Sequence, residues 1–234
     1  MQYDAYLFDL YGTLIDIRTH ESNPALWETV AAHYSALGAQ WTGETIREAY
    51  KAECARQPAK ETQNPEIDLA PVFEALFTQR GVTPTREQIA EAAWLFRSTS
   101  TEHLTLYEGA EALLKALRKR GKVILLSNAQ VLFTRPELKL LGIDGAFDRI
   151  YISSAYGCKK PDPAFFGQPV RDFGLDPARC IMIGNDPYCA AAGARAVGMA
   201  AWCIRSEISP EEAPLTLYDQ PEMDLRLVRD MLCK

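Results

Sequence analysis

The chain lacks the features that would direct it to a membrane or to an oxidising compartment. Its six cysteines lie far apart, without a Cys-x-x-Cys pair, so neither a zinc site nor a disulfide framework is indicated. No apolar run approaches the ~20 residues that a spanning helix needs. The start Met-Gln-Tyr-Asp has no basic segment followed by an apolar one, as a secretory leader would have. We therefore expect a soluble, cytoplasmic protein with reduced thiols and no membrane partner.

The sequence also lacks a basic block and a basic stripe with interleaved aromatic residues. Its formal net charge is -6, which argues against nucleic acid as a main partner. The most basic stretch, residues 115–122, has the composition of a helix C-terminus, where cations complement the helix dipole. With 234 residues and 47% hydrophobic content, the chain can form one large domain or one domain with an insert.

Residues 17–103 are predicted to form an all-helical insert. No strand-like alternation occurs between Asp16 and about His103, and the apolar spacing predicts helices at residues 25–37, 45–56, 69–80 and 85–98. Asn23-Pro24 is a helix start signal. Thr85 and Gln88 have the spacing of a capping box.

From residue 107 onward, helical patterns alternate with short apolar strands. The strands are predicted at residues 123–126, 149–152, 180–183 and 200–204, and the helices at residues 110–120, 135–141, 163–173 and 190–197. Alternation of this kind predicts a parallel sheet with helical crossovers. Since another apolar strand precedes the helical insert, the α/β part is discontinuous in sequence.

That first strand ends in a carboxylate. The apolar run at residues 6–8 leads directly into Asp9, which stands before a glycine-threonine turn. A carboxylate at the end of a buried strand is costly to desolvate unless a cation or hydrogen-bond donors meet it, and open parallel sheets bind their ligands at this end of the strands. Asp9 is therefore the best nucleophile candidate, although an Asp before Gly can also serve to stabilise a turn.

Four segments, one of them around Asp9, place polar or charged residues in a recognisable pattern. Residues 8–14 read Phe-Asp-Leu-Tyr-Gly-Thr-Leu, and the strand at residues 123–126 ends in Ser127-Asn128. Residues 160–163 read Lys-Pro-Asp-Pro, and residues 181–186 read Ile-Met-Ile-Gly-Asn-Asp. Each segment resembles a motif of the haloacid dehalogenase superfamily of aspartate-nucleophile hydrolases. One such match is weak evidence, but four in the correct order over almost the whole chain indicate the family.

The resemblance implies a fold, a domain division and a set of site residues. It implies a Rossmann-like α/β core with a doubly wound parallel sheet, formed by residues 1–16 and 104–234, and an inserted helical cap domain at residues 17–103. It implies Asp9 as the nucleophile, with Lys160 as the cation that reduces its repulsion from an anionic substrate. The substrate is expected to be small and anionic, and the protein a monomer or a homodimer. The substrate-binding positions would be Tyr11, Gly12, Thr13, Ser127 and Asn128.

Two positions depart from the phosphatase form of these motifs. Phosphatases of the family carry a second aspartate two residues after the nucleophile, as general acid and base, whereas this chain has Tyr11, as the family's 2-haloacid dehalogenases do. Ala190 lies three residues before Gly193, at a position where the phosphatases and the dehalogenases of the family usually have an aspartate. Asp186 lies one residue later than the family's usual Gly-Asp.

These departures bear on whether a metal binds. Magnesium commonly takes only one or two carboxylates and keeps several waters, so Asp9, the backbone carbonyl of Tyr11 and Asp186 could together bind Mg²⁺. Loss of the acid at Ala190 should weaken that affinity without abolishing it.

Three functions stay open from the sequence. Phosphate-monoester hydrolysis is favoured because Gly-Asn-Asp resembles the phosphatase loop more than the dehalogenase loop, while Tyr11 favours C-halogen hydrolysis. The third function is a non-catalytic anion-binding or regulatory protein. Cys189 lies beside the fourth motif, but no histidine is near it in sequence, and we expect it to be a buried structural residue. In this family the cap largely chooses the substrate, and its possible lining residues here are Arg18, His20, Trp27, Arg47, Tyr50, Lys51 and Arg56.

Overall fold

The structure, a computed structural model, describes residues 2–58, 60–211 and 218–234. Its strands are β1 (Ala5–Phe8), β2 (Ile15–Thr19), β3 (Thr101–Leu106), β4 (Lys122–Ser127), β5 (Arg149–Ile152), β6 (Cys180–Gly184), β7 (Ala200–Ile204) and β8 (Tyr218–Gln220). Its α-helices are α1 (Pro24–Ala36), α2 (Gly43–Arg56), α3 (Ala70–Thr78), α4 (Arg86–Ser100), α5 (Ala110–Leu117), α6 (Val131–Leu140), α7 (Pro163–Phe173), α8 (Gly193–Ala196) and α9 (Leu225–Leu232).

Six of the strands form one sheet, in the order β5-β4-β1-β6-β7-β8. Every neighbouring pair in it is parallel, which confirms the predicted α/β fold. Parallel strands read as continuous apolar runs because both faces of the sheet are covered. In β1, Tyr6 and Phe8 pack into the cluster that includes α5 and α9, whereas Ala5 and Leu7 pack into the cluster that includes α7 and α8.

The helices α1 to α4, which we call the helical insert, have a hydrophobic core of their own. We call the six-stranded sheet and the helices packed on its two faces the sheet domain. The aromatic centre of the insert includes Trp27, Phe73 and Phe96, and Phe133 of α6 packs against it from the sheet domain. Asn23 accepts a hydrogen bond from the N–H of Ala25 at the start of α1. Both halves of the predicted capping box at Thr85 are present at the start of α4.

The ends of the insert differ from the prediction. β2 and β3 pair as an antiparallel ribbon where the chain leaves and re-enters the sheet domain, so the expectation of no strand between Asp16 and about His103 is wrong at both ends. The signal was short but present: Ile15 and Ile17 are buried while Arg18 is exposed, an alternation with the period of a half-buried strand.

Four further elements of the sheet domain differ from prediction. The pattern predicts neither β8 nor α9, although Leu225, Val228 and Leu232 give α9 an apolar stripe. α6 begins at Val131 rather than at residue 135, with its proline inside the helix. The helix expected from residue 190 instead starts with a π-helical turn, Pro187–Ala192, whose first N–H groups are capped by Asp186.

Candidate active site

Segments that follow the carboxyl ends of five neighbouring strands, β5, β4, β1, β6 and β7, meet around Asp9. Asp9 follows β1, and its Oδ1 lies 2.7 Å from the ammonium of Lys160. The same oxygen accepts a hydrogen bond of 2.8 Å from the N–H of Leu10. Lys160 is only 1% exposed and the Asp9 side chain 13% exposed, so the pair is buried with an opening to solvent on the aspartate side. A buried ammonium of this kind is stable only with a partner charge.

Asn128 holds the backbone of Lys160. Its side-chain oxygen accepts a hydrogen bond from the N–H of Lys160 at 2.7 Å, and its amide nitrogen donates to the carbonyl of Lys160 at 2.9 Å. Both polar atoms of the amide are thereby committed to the lysine. Asn128 lines the same chamber as Asp9, and its direct effect is to orient the cation.

Ser127 ends β4 and is fully buried. Its Oγ has no hydrogen-bond partner within the ranges that the structure describes. Leaving a buried hydroxyl unsatisfied costs about 1–3 kcal/mol. This hydroxyl is therefore available to a ligand or a water at the end of the strand.

Thr13 belongs to a chain of neutral polar groups. Its hydroxyl donates to the side-chain oxygen of Asn185 at 3.4 Å, and the amide nitrogen of Asn185 donates to Ser206 at 3.3 Å. Gly12 has a φ of 77°, and a Cβ on it would lie 2.3 Å from the Asn185 amide nitrogen. Only glycine permits this turn and this approach together.

Asp186 lines the chamber but also caps the π-helical turn. Its Oδ1 accepts hydrogen bonds from the N–H groups of Tyr188 and Cys189, each at 2.8 Å. Ala190 is buried, and its side chain offers no oxygen ligand. It packs closely against β6, because a Cβ added to Gly184 would lie 2.7 Å from the Cβ of Ala190.

Among the described residues, no group of three or more His, Cys, Asp or Glu side chains is arranged to hold a metal ion. Two carboxylates, Asp9 and Asp186, nevertheless face the chamber. That number satisfies the usual protein contribution to a magnesium site. The donor set is therefore compatible with Mg²⁺ at the low end of what the ion requires.

The Tyr11 phenol is directed into a buried polar cluster rather than left free. Its hydroxyl donates to Oε2 of Glu137 and lies 3.0 Å from the hydroxyl of Thr134, both on α6. Arg97 of α4 binds the other oxygen of Glu137 at 2.6 Å. Burial, followed by the charge of Glu137, raises the pKa of Tyr11 above its usual value. The phenol is thus a neutral donor bound to a carboxylate.

Cys189 also lines the chamber. Burial and the neighbouring carboxylate of Asp186 raise the pKa of its thiol to about 12. A cysteine acts as a nucleophile through its thiolate, so this neutral thiol does not rival Asp9.

The chamber has a volume of about 190 Å³. Within the described ranges, residues of the sheet domain line it: Asp9, Tyr11, Asn128, Lys160, Asn185, Asp186, Cys189, Ile208 and Pro210. Of the predicted substrate-binding positions, Gly12, Thr13 and Ser127 are not among these lining residues. Gly12 and Thr13 approach Asn185, which is one of them.

The lining residues suggested for the helical insert lie elsewhere. Trp27 is packed against Tyr50 and Phe96, while Arg47 and Lys51 border a separate cavity between α1 and α2. The other charged candidates are surface groups: His20 pairs with Glu102, Arg56 pairs with Glu53, and Arg18 is exposed.

Sequence reasoning missed five residues around this site: Arg97, Glu137, Asn185, Ile208 and Pro210. Asn185 was the easiest of them to find from the sequence, because it occupies the place of the aspartate in the family's Gly-Asp motif. Glu137 and Arg97 carry no local signal, since a Glu or an Arg in a helix is usually on a solvated face.

Comparison with known proteins agrees with the geometry. A family described as haloacid dehalogenase-like hydrolase matches residues 3–198. The chain belongs to this family of hydrolases. It is similar to N-acylneuraminate-9-phosphatase of Homo sapiens, with 25% identity over 92% of this chain and 88% of that one. It is also similar to phosphoserine phosphatase of Thermus thermophilus, with 33% identity over 67% of this chain and 62% of that one.

Solved structures show the same fold. The 2-haloacid dehalogenase of Pseudomonas syringae pv. Tomato DC3000 superposes with a TM-score of 0.72 at 18% identity, covering 99% of this chain and 98% of that one. In the part of the chain that is described, none of the helices combines the length and the apolar composition needed to cross a bilayer.

Proposed function

We propose that this hydrolase cleaves small phosphate monoesters, with Asp9 as the nucleophile. The observation that carries the proposal is the Asp9–Lys160 pair at 2.7 Å, at the base of a small chamber on the carboxyl edge of the sheet. The phosphatase names of the curated relatives support the same reaction.

In the first step an oxygen of Asp9 attacks phosphorus, an aspartyl-phosphate bond forms, and the bond from phosphorus to the ester oxygen breaks. In the second step water attacks phosphorus, which regenerates the Asp9 carboxylate and releases inorganic phosphate. The covalent intermediate divides one difficult displacement into two easier ones.

The neighbouring groups stabilise the anion. Lys160 offsets the charge repulsion between Asp9 and the phosphoryl oxygens. The hydroxyl of Ser127, which has no partner within the described ranges, donates to those oxygens as charge develops.

The leaving oxygen has no dedicated acid at position 11, because the Tyr11 hydroxyl is bound to Glu137. The best substrates are therefore esters whose leaving oxygen is weakly basic and accepts its proton from solvent.

Magnesium is part of this proposal. Asp9, the carbonyl of Tyr11 and Asp186 would hold it, and the ion would supply positive charge to the phosphoryl oxygens. We further propose that residues 17–103 act as a cap over the site, linked to the core by the β2–β3 ribbon.

One observation favours a second candidate, C-halogen hydrolysis of 2-haloacids. Halide departs without a proton, so a site in which Tyr11 is bound to Glu137 loses nothing in that reaction. Asp9 would attack the carbon that carries the halogen, halide would leave, and water would then attack the carboxyl carbon of the resulting ester.

The test compares p-nitrophenyl phosphate and 2-chloropropionate as substrates, each with and without Mg²⁺. We expect turnover of the phosphate ester, at least a thousandfold loss in Asp9→Asn, and unchanged turnover in the control Asp16→Asn, which alters an aspartate on β2. Turnover of 2-chloropropionate alone would replace the phosphatase assignment by the dehalogenase one.

Retention of a tenth of the activity in Asp9→Asn would show that Asp9 is not the nucleophile. Phosphate binding without turnover of either substrate would support a non-catalytic anion-binding protein.

A further inference from the structure

The loop that follows β7, residues 205–211, contributes the apolar wall of the chamber. Ile208 and Pro210 line it, and Ile208 is 48% exposed although it is a large apolar residue. A Cβ on Gly12 would lie 2.8 Å from Cδ1 of Ile208, so the isoleucine rests directly on the turn that follows Asp9. A half-exposed apolar side chain at the mouth of a small chamber is positioned to contact whatever enters it.

Hydrogen bonds hold this loop in place. The N–H of Ser206 donates to the hydroxyl of Ser209 at 2.8 Å, and the N–H of Ser209 donates back to the carbonyl of Ser206 at 3.0 Å. The guanidinium of Arg205 donates to the carbonyl of Pro210 at 2.7 Å. Asn185 ties Ser206 to the chamber wall. Ile208 is therefore presented by a fixed turn.

The charges of the chamber limit what else can enter. Among the described lining residues the charged groups are Asp9, Asp186 and Lys160, and the lysine is the single cation. A substrate with one phosphoryl group can use that cation. A second anionic group on the same molecule would meet carboxylates and apolar side chains, with no side-chain cation to receive it.

We infer that Ile208, together with Pro210, selects substrates whose single anionic group carries a short, uncharged apolar remainder, such as short alkyl or aryl phosphate monoesters. The inference rests on the proposed function, because the anionic group is the one that Asp9 would attack. The inference assigns substrate choice to a loop of the sheet domain, whereas the family resemblance would assign it to the helical cap.

Binding of phosphonates tests this selection without turnover, since their carbon-phosphorus bond is not an ester bond. Calorimetry should show that n-butylphosphonate binds about tenfold more tightly than methylphosphonate to the wild type, because part of three additional methylene groups is removed from water. In Ile208→Ser the ratio should fall to nearly one, because n-butylphosphonate loses more affinity than methylphosphonate.

The matched control is Leu227→Ser, which alters a leucine on α9 that is 47% exposed and does not line the chamber; it should keep the wild-type ratio. For the charge argument, 3-phosphonopropionate should bind to the wild type at least tenfold more weakly than n-butylphosphonate.

An unchanged ratio in Ile208→Ser, or equal binding of the two phosphonates by the wild type, would overturn the inference. Tight binding of 3-phosphonopropionate would overturn its charge argument. Selective phosphonate binding without turnover of any phosphate ester would refute the proposed function and leave the selection by Ile208 intact. Failure to bind any phosphonate or inorganic phosphate would refute both.

Discussion

Replacing Arg97 by methionine is expected to destabilise the protein strongly, because the arginine neutralises a fully buried carboxylate. The Glu137 side chain is 1% exposed and the Arg97 side chain 11% exposed, with 2.6 Å between Nε and Oε1. Methionine keeps an apolar stem of similar length. It loses the guanidinium, whose carbon lies over the rings of Phe133 and Tyr11, so the substitution removes the charge together with these cation–π contacts.

Breaking a buried pair by removing one partner typically costs about 3–5 kcal/mol. After the substitution, Glu137 still accepts the hydroxyl of Tyr11. We therefore expect the lower end of that range, about 3 kcal/mol. The control is Arg56→Met, which removes an arginine that is 69% exposed from a pair with an equal separation of 2.6 Å; an exposed pair of this kind contributes about 0–1 kcal/mol.

Unfolding in urea, monitored by circular dichroism and by tryptophan fluorescence, measures the free energy of unfolding of each variant. Trp27 and Trp94 report on the helical insert and Trp202 on the sheet. A second variant, Arg97→Met with Glu137→Met, removes both charges and should recover much of the lost stability. Equal losses in Arg97→Met and Arg56→Met would refute the reasoning that Arg97 neutralises a buried carboxylate.

Two further predictions concern the charged groups of the chamber. Lys160→Met should weaken the binding of inorganic phosphate by about 1–3 kcal/mol, as measured by calorimetry. The control Lys159→Met, which alters the half-buried neighbour of Lys160, should not weaken it. Equal effects of the two variants would mean that the charge of Lys160 does not act on the anion. Magnesium should raise the melting temperature of the wild type, by roughly 2.7 kcal/mol of stabilisation at a hundredfold excess over its dissociation constant. Asp186→Ala should remove that increment, whereas Asp224→Ala, which removes the cap of α9, should keep it; an increment that survives in Asp186→Ala would exclude Asp186 as a ligand.

Five of the six strands of the parallel sheet, and the loops that follow them, were predictable because their signals are local. An apolar run of parallel-strand length followed by a polar residue marks both a strand and the edge at which the site lies, and this is how Asp9, Ser127 and Asp186 could be placed together. The helix starts at Asn23 and Thr85 were predictable for the same reason, since caps are recognised by adjacent residue types.

The contacts of Tyr11 were not predictable in this way. Its partner Glu137 lies 126 residues away in the chain, and nothing in the local sequence of α6 distinguishes a buried Glu from a solvated one. Ile208 lies in an irregular loop without apolar periodicity, so its position over Gly12 emerges only from the folded chain.

The departures from the family pattern form a consistent electrostatic set. The phosphatase form of the family motifs has acids at positions 11, 185 and 190, and this chain has Tyr, Asn and Ala there. Asn185 donates and accepts neutral hydrogen bonds with Ser206 and Thr13, and Tyr11 is bound to Glu137, whose charge Arg97 already balances. Among the described residues, the carboxylate within ion-pair distance of Lys160 is therefore that of Asp9. Fewer carboxylates around the nucleophile mean less repulsion toward an anion and a smaller need for a metal, which is why phosphate binding in this chain should depend more steeply on Lys160 than on Mg²⁺.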